Sequence, residues 1–207
     1  MDFPASTTSE LVKVNPKTID DWYGYIRKVI LHNLVQEKNE KLGWWIYELD
    51  ESYFWPTRIK GKRGRWAGGK TIVFGLLKRD GKVYTEIVPN AKTKSILPII
   101  RWKIGTDDID TEINTDGWKA YDGLVDVWYE KHYRVHHGKN EFARGKQHIN
   151  WIESFWSFTK RRLRKFNGIK KQYFLLHLKE SEFRYNCKRM NQDIYKELLK
   201  LLREFTS

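Results

Sequence analysis

Cysteine is nearly absent from this chain. Of 207 residues only Cys187 carries a thiol, which excludes an internal disulfide framework and any cysteine-cluster zinc site. In its setting, "FRYNCKRMN", it reads as a small packed side chain rather than a nucleophile. No apolar run is long enough to span a bilayer, and the opening "MDFPASTTSE" lacks the basic and apolar regions of a signal peptide. The six histidines show no H-E-x-x-H spacing, and no serine elbow motif is present. Together these absences disfavour secreted, membrane-spanning, zinc-peptidase and serine-hydrolase classes, and the expectation is a soluble protein inside the cell with no membrane partner. Acids are also scarce: 26 Asp and Glu stand against 39 Lys and Arg, a formal charge of +13.

What is present is a core and a charge. Forty per cent of residues are apolar and 15% aromatic, enough for a folded domain rather than a disordered chain. An excess of cations this large points to a polyanionic partner, most often nucleic acid.

Along the chain the hydrophobic period changes. "NPKTIDDWYGYIRKVILHNLV" has Asn15 as a cap, Pro16 at the first helical position and apolar residues at helical spacing. With the preceding "TTSELVKVN" it reads either as part of a helix-turn-helix or as a plain packing helix. "WWIYELDESYFW" reads as a strand, and "KTIVFGLLKRDGKVYTEIV" as two strands around the turn Asp80-Gly81. "TKSILPIIRWKI" reads as a helix interrupted near Pro98, "TEINTDGW" as a short strand, "AYDGLVDVWYEK" as a helix and "HYRVHH" as another short strand. From Ile149 onward the pattern is helical, with breaks expected near Asn167-Gly168 and Asn186. Three leading strands make an antiparallel meander, and a strand that follows a crossover helix joins parallel. The expected result is an α/β domain with a mixed sheet and helices packed on it.

"GRWAGGKT", residues 64–71, fits the phosphate-loop pattern. That motif needs a buried strand before it and a helix after it. A polar, basic stretch precedes it here and a hairpin pattern follows, so the match is set aside. A solvated loop, or a basic loop touching a phosphate backbone, is the better reading.

Three acids stand out. Asp50 lies in the apolar strand "WIYELD", where an unpaired carboxylate is costly. Asp116 ends the second short strand, "TEINTD", and Glu153 sits in the first turns of a long helix. Each has an ordinary explanation: a paired or edge acid, a turn residue, a charge favoured by the helix dipole. As a trio of hard oxygen donors they suit Mg²⁺ or Mn²⁺, and two such ions serve phosphodiester chemistry. Helical periodicity places Ser157, Lys160 and Arg164 on the face of Glu153, with Ile152, Phe155, Thr159 and Leu163 on a neighbouring apolar stripe. That basic face reads either as a solvated surface or as a grip on phosphates.

In "ELDESYF", "KRGRWAGGKTIVFGLL", "INTDGWKAYDGL", "HINWIESFWSFTKRRLRKF" and "LHLKESEFRYNCKR", the chain resembles the catalytic domain of DDE transposases from bacterial insertion sequences, of the ISXO type related to Merlin elements. The resemblance covers roughly residues 44–190. It implies a ribonuclease-H-like fold, a mixed five-stranded sheet flanked by helices, with a short helical N-terminal segment. It implies Asp50, Asp116 and Glu153 as catalytic residues holding two Mg²⁺ or Mn²⁺ ions, and Asn150 as a supporting or substitute ligand. Lys160 matches the basic residue that often completes the signature; Arg161, Arg164, Lys62, Arg63, Arg65 and Lys70 join it as expected DNA contacts.

The implied activity is metal-dependent strand cleavage at transposon ends and strand transfer into target DNA. The implied partners are DNA and further copies of the chain, a homo-oligomer on DNA, in the cytoplasm at the nucleoid. The expected organisation is residues 1–40 as a helical N-terminal segment, 41–190 as the catalytic domain and 191–207 as a C-terminal helix. Relatives usually carry a longer N-terminal region with a zinc-binding element. No CxxC is found here, which leaves a shortened, non-catalytic DNA-binding relic as the alternative.

Overall fold

A computed structural model of the protein describes residues 3–37, 42, 45–54, 70–104, 111–116, 131–135, 150–166 and 168–206, with the backbone alone at 116 and 131–135. The expected helix at 120–131 lies outside the described residues except for its last position, Lys131, which opens a strand, and the polar loop at 138–147 lies outside them entirely.

The aromatic-rich run forms β1, Ile46–Phe54, whose Tyr47, Glu48 and Leu49 are all buried. Burial on both faces marks a central strand. β2 (Thr71–Lys78) and β3 (Val83–Val88) form the antiparallel hairpin expected around Asp80-Gly81, with Asp80 at φ 48°. Aspartate is among the few side chains that tolerate that left-handed turn geometry. β2 pairs antiparallel with β1; beyond the helix α3 (Thr93–Ile104), β4 (Glu112–Asp116) joins the other edge of β1 in parallel. β5 (Lys131–Val135) is parallel to β4, and the sheet order is β3-β2-β1-β4-β5. The sheet is therefore mixed, as the meander-then-crossover argument requires.

α3 closes one face. Its Ile96, Ile100 and Ile104 pack with Tyr47, Leu49, Phe74, Leu76 and Ile113. The interruption expected at Pro98 is not seen: the helix runs unbroken with Pro98 on its exposed side. An interior proline costs about 3 kcal/mol, and burial of three isoleucines against the sheet outweighs it.

Three helices follow: α4 (Asn150–Arg164), α5 (Lys171–Arg189) and α6 (Ile194–Thr206). The break expected at Asn186 falls later. Asn186 is buried inside α5, and the turn forms at Asn191, φ 52°, with the amide of Gln192 bonded to the carbonyl of Cys187 at 2.8 Å. Asn tolerates this helix-ending conformation. Before the sheet come α1 (Ala5–Val12) and α2 (Pro16–Gln36). Asn15 caps α2 as read, its side chain accepting from the amide of Lys17 at 2.8 Å.

The chain divides into two compact units, Asn39–Ser157 and Met1–Lys38 with Phe158–Ser207. The first holds the sheet, α3 and the opening turns of α4. In the second, α5 packs with the N-terminal helices: Phe183 and Cys187 lie against Val29, Ile30 and Leu34 of α2 and Leu201 of α6. Cys187 is the packed thiol its setting suggested. Glu180 of α5 pairs with Arg27 at 2.8 Å, Arg162 at 2.6 Å and Arg184 at 2.9 Å. Burial alone would raise its pKa, but the three guanidiniums together outweigh burial and hold it at about 2. Among the described residues no helix is long and apolar enough to cross a membrane.

Candidate active site

Side chains alternate along a strand, so Tyr47 and Leu49 face α3 while Glu48 and Asp50 face the other side, where α4 begins. β1 and β4 run in parallel register up to the pair Leu49↔Thr115. Asp50 and Asp116 are the next residue on each strand. Neighbouring strands lie about 4.8 Å apart, so this register sets the backbones of the two aspartates side by side. The side chain of Asp116 lies outside the described residues.

Glu48, which sequence reasoning passed over, anchors α4. Its Oε2 accepts from the amides of Trp151 and Ile152, each at 3.0 Å, and its Oε1 accepts from Nε of Arg79 at 3.0 Å. The first amides of a helix have no partner within it, and the helix dipole favours an anion there. A fully buried carboxylate thus caps the first turn of α4. One signal was available: a glutamate two residues before Asp50, inside an apolar run, has to be paired.

Trp156 adds a second link. Its indole Nε1 donates to Oδ2 of Asp50 at 3.0 Å, while Oδ1 of Asp50 accepts from the amide of Glu51 at 2.8 Å. The indole lies over Gly75 of β2, the register partner of Asp50. A Cβ at Gly75 would come within 2.5 Å of the ring and 3.0 Å of Ile152 Cδ1. The glycine is required here for close approach, and the tryptophan uses the space to reach across to the neighbouring strand.

α4 matches its expected faces. Ile152, Phe155, Thr159 and Leu163 are buried, while Glu153, Ser157, Lys160 and Arg164 are exposed, as are Asn150 and Arg161. Lys70 places its Nζ 5.5 Å from the centroid of the Tyr53 ring. Residue 71 opens β2 rather than a helix, which removes the phosphate-loop reading of 64–71. Lys62, Arg63 and Arg65 lie outside the described residues. Among the described residues, which do not include the carboxylate of Asp116, no trio of acidic, His or Cys side chains is gathered. What is brought together is Asp50 and the backbone position of Asp116, by strand register, and the helix start carrying Asn150 and Glu153, by Glu48. The donors in this set are all oxygens, the chemistry that suits Mg²⁺ or Mn²⁺.

Comparison with known proteins gives a consistent picture. The family model of an ISXO2-like transposase domain matches residues 46–186. An uncharacterized transposase-like protein of Haemophilus influenzae is 43% identical over 121 residues, 58% of this chain and 94% of that protein. An uncharacterized protein in transposable element ISH50 of Halobacterium salinarum is 30% identical over 135 residues, 62% of this chain, which spans only 45% of that relative. Among solved structures, the catalytic core domain of BIV integrase superposes with a TM-score of 0.41 at 12% identity, covering 78% of this chain and 98% of that one.

Proposed function

The chain belongs to the ISXO2-like transposase family, and from that premise we propose that it is a DDE transposase catalytic domain, ribonuclease-H-like in fold, that cuts and joins DNA. The observation that carries the reading is the adjacency of Asp50 and Asp116, each one residue beyond the last pair of two neighbouring parallel strands, with the helix that bears Glu153 anchored to the first of those strands through Glu48. In this reading residues 41–190 do the chemistry, and 1–40 and 191–207 flank them.

Asp50, Asp116 and Glu153 would hold two Mg²⁺ or Mn²⁺ ions, with Asn150 as support or substitute; such ions, when bound, activate an attacking oxygen and stabilise a leaving one. The chain's own work is positioning. Trp156 and the amide of Glu51 fix the carboxylate of Asp50. Glu48 fixes the start of α4 and with it Glu153 and Asn150. Lys160 and Arg164 offer cations to phosphates flanking the reacting one, and Arg161, Lys62, Arg63, Arg65 and Lys70 offer further contacts to DNA. Water cuts at the element's ends and frees a 3′-hydroxyl, and that hydroxyl attacks target DNA. Bringing two ends together calls for more than one copy of the chain, working at the nucleoid.

The test is nicking of supercoiled plasmid carrying the element's ends, with Mg²⁺, with EDTA and with Glu153→Gln. Cutting that needs metal and disappears in the variant is the expected result. Equal DNA binding by both proteins with no cutting by either would replace this reading with that of a DNA-binding relic.

A further inference from the structure

The helical unit contains a hollow of about 750 Å³ between the end of α4, the end of α5 and the turn into α6. Its lining is basic. Arg161, Lys165 and Lys188 are exposed on it, and among the described residues none of the three has a carboxylate within ion-pair distance. The wall behind them carries Arg162 and Arg184, which share the carboxylate of Glu180 with Arg27. The acid on the lining is Asp193, and its Oδ1 is engaged by the amides of Tyr195 at 2.8 Å and Lys196 at 3.1 Å, capping α6. Among the described residues, therefore, carboxylates do not neutralise the hollow.

Two aromatics complete it. Phe158 packs on Tyr185 with ring centroids 5.6 Å apart, while Tyr195 stands 69% exposed at the rim. An exposed tyrosine beside exposed cations in a concave site has the chemistry that holds single strands: phosphates on the cations, a base on the ring. A duplex backbone needs a row of cations, but neither the hollow nor the ring.

We propose that this hollow binds an unpaired segment of DNA, with phosphates on Arg161, Lys165 and Lys188 and a base stacked on Tyr195. The assignment rests on DNA being the substrate, and it adds a strand-holding site made by the helical unit alone. A transposase that cuts and joins ends handles frayed and freed strands, and this site would keep one from re-pairing.

The test is fluorescence anisotropy of a labelled single-stranded oligonucleotide and its duplex across a salt series, in EDTA so that nothing is cut. Lys165→Ala with Lys188→Ala should weaken single-strand binding about tenfold and flatten the salt slope by about 1.4, the value for two lost phosphate contacts on a single strand. Lys165→Arg with Lys188→Arg should keep it. Lys17→Ala with Lys28→Ala, which removes the same charge elsewhere, should leave the slope unchanged. Tyr195→Ala should weaken the single strand roughly tenfold and spare the duplex, with Tyr195→Phe restoring wild-type binding. An unchanged slope in the alanine pair, or equal loss for single strand and duplex in Tyr195→Ala, overturns the proposal. A protein that nicks plasmid while its hollow variants bind like wild type overturns the hollow alone. One that holds strands through the hollow yet never nicks overturns the catalytic reading alone.

Discussion

Trp156 donates its indole N–H to Asp50 across 3.0 Å, from a ring seated on the glycine that pairs with Asp50 in the next strand. One side chain of α4 thereby reads the position of the β1 carboxylate and of the β2 backbone together. An error in the helix, the central strand or its neighbour is felt at the same oxygen.

Trp156→Phe keeps most of the packing and removes the donor. Hydrogen bonds to charged groups are worth about 1.5–3 kcal/mol, so plasmid nicking should fall about tenfold to a hundredfold. The melting temperature should move by only a few degrees, which separates loss of positioning from loss of fold.

Gly75→Ala puts a methyl group into the ring of Trp156. The indole is too rigid to step aside cheaply, and overpacking of this kind costs about 1–3 kcal/mol. Denaturant titration should show that loss. Combining it with Trp156→Leu, which vacates the space, should cost less than the two single changes added together; strict additivity would mean that the two sites do not touch.

Glu48→Gln leaves the helix amides an oxygen to bond but strips the counter-charge from Arg79. Breaking a buried pair from one side costs about 3–5 kcal/mol, and chemical denaturation should report a loss of that order. Arg79→Met in the same chain should recover part of it. Failure of the second substitution to recover any stability would mean that the cap, not the ion pair, dominates.

Glu180 predicts an acid transition. Its folded-state pKa, about 2, lies below the ordinary 4.5. Its stabilising contribution is therefore complete above about pH 4.5 and is lost as pH falls towards 2, an effect of about 3 kcal/mol. Helical stability followed by circular dichroism should decline through that window in the wild-type chain. Glu180→Gln should be less stable at neutral pH and should lack this component of the decline.

Much of this architecture is legible in the residues themselves. The aromatic and β-branched runs of β1 to β3, the Asp80-Gly81 turn and the capped start of α2 are local signals, and local physics decides them. The two faces of α4 also follow from spacing alone. The burial of Glu48 inside an apolar run signals that it is paired, but not with what; its partners, the amides of Trp151 and Ile152, and the ring of Trp156 that requires Gly75, lie far along the chain. Pro98 misled for a related reason, since a local helix breaker was overruled by isoleucines buried on the opposite side of its helix. Asn186 looked like a stop and is instead a buried member of α5, whose end is set by the turn at Asn191. Asp50, Asp116 and Glu153 were chosen by residue type and context; strand register adds the adjacency of the first two.

Glu48 and Asp50 share one face of one strand, and that has a consequence for folding fidelity. A slip of β1 by a single residue reverses every side chain on it, turning both acids towards α3 and offering Tyr47 and Leu49 to α4 instead. The misregistered chain would lose its helix anchor and the Asp50 carboxylate in the same step. On the proposed reading, a copy folded wrongly at this strand would be disarmed rather than misdirected, because the register that anchors the fold is also the one that presents the acid.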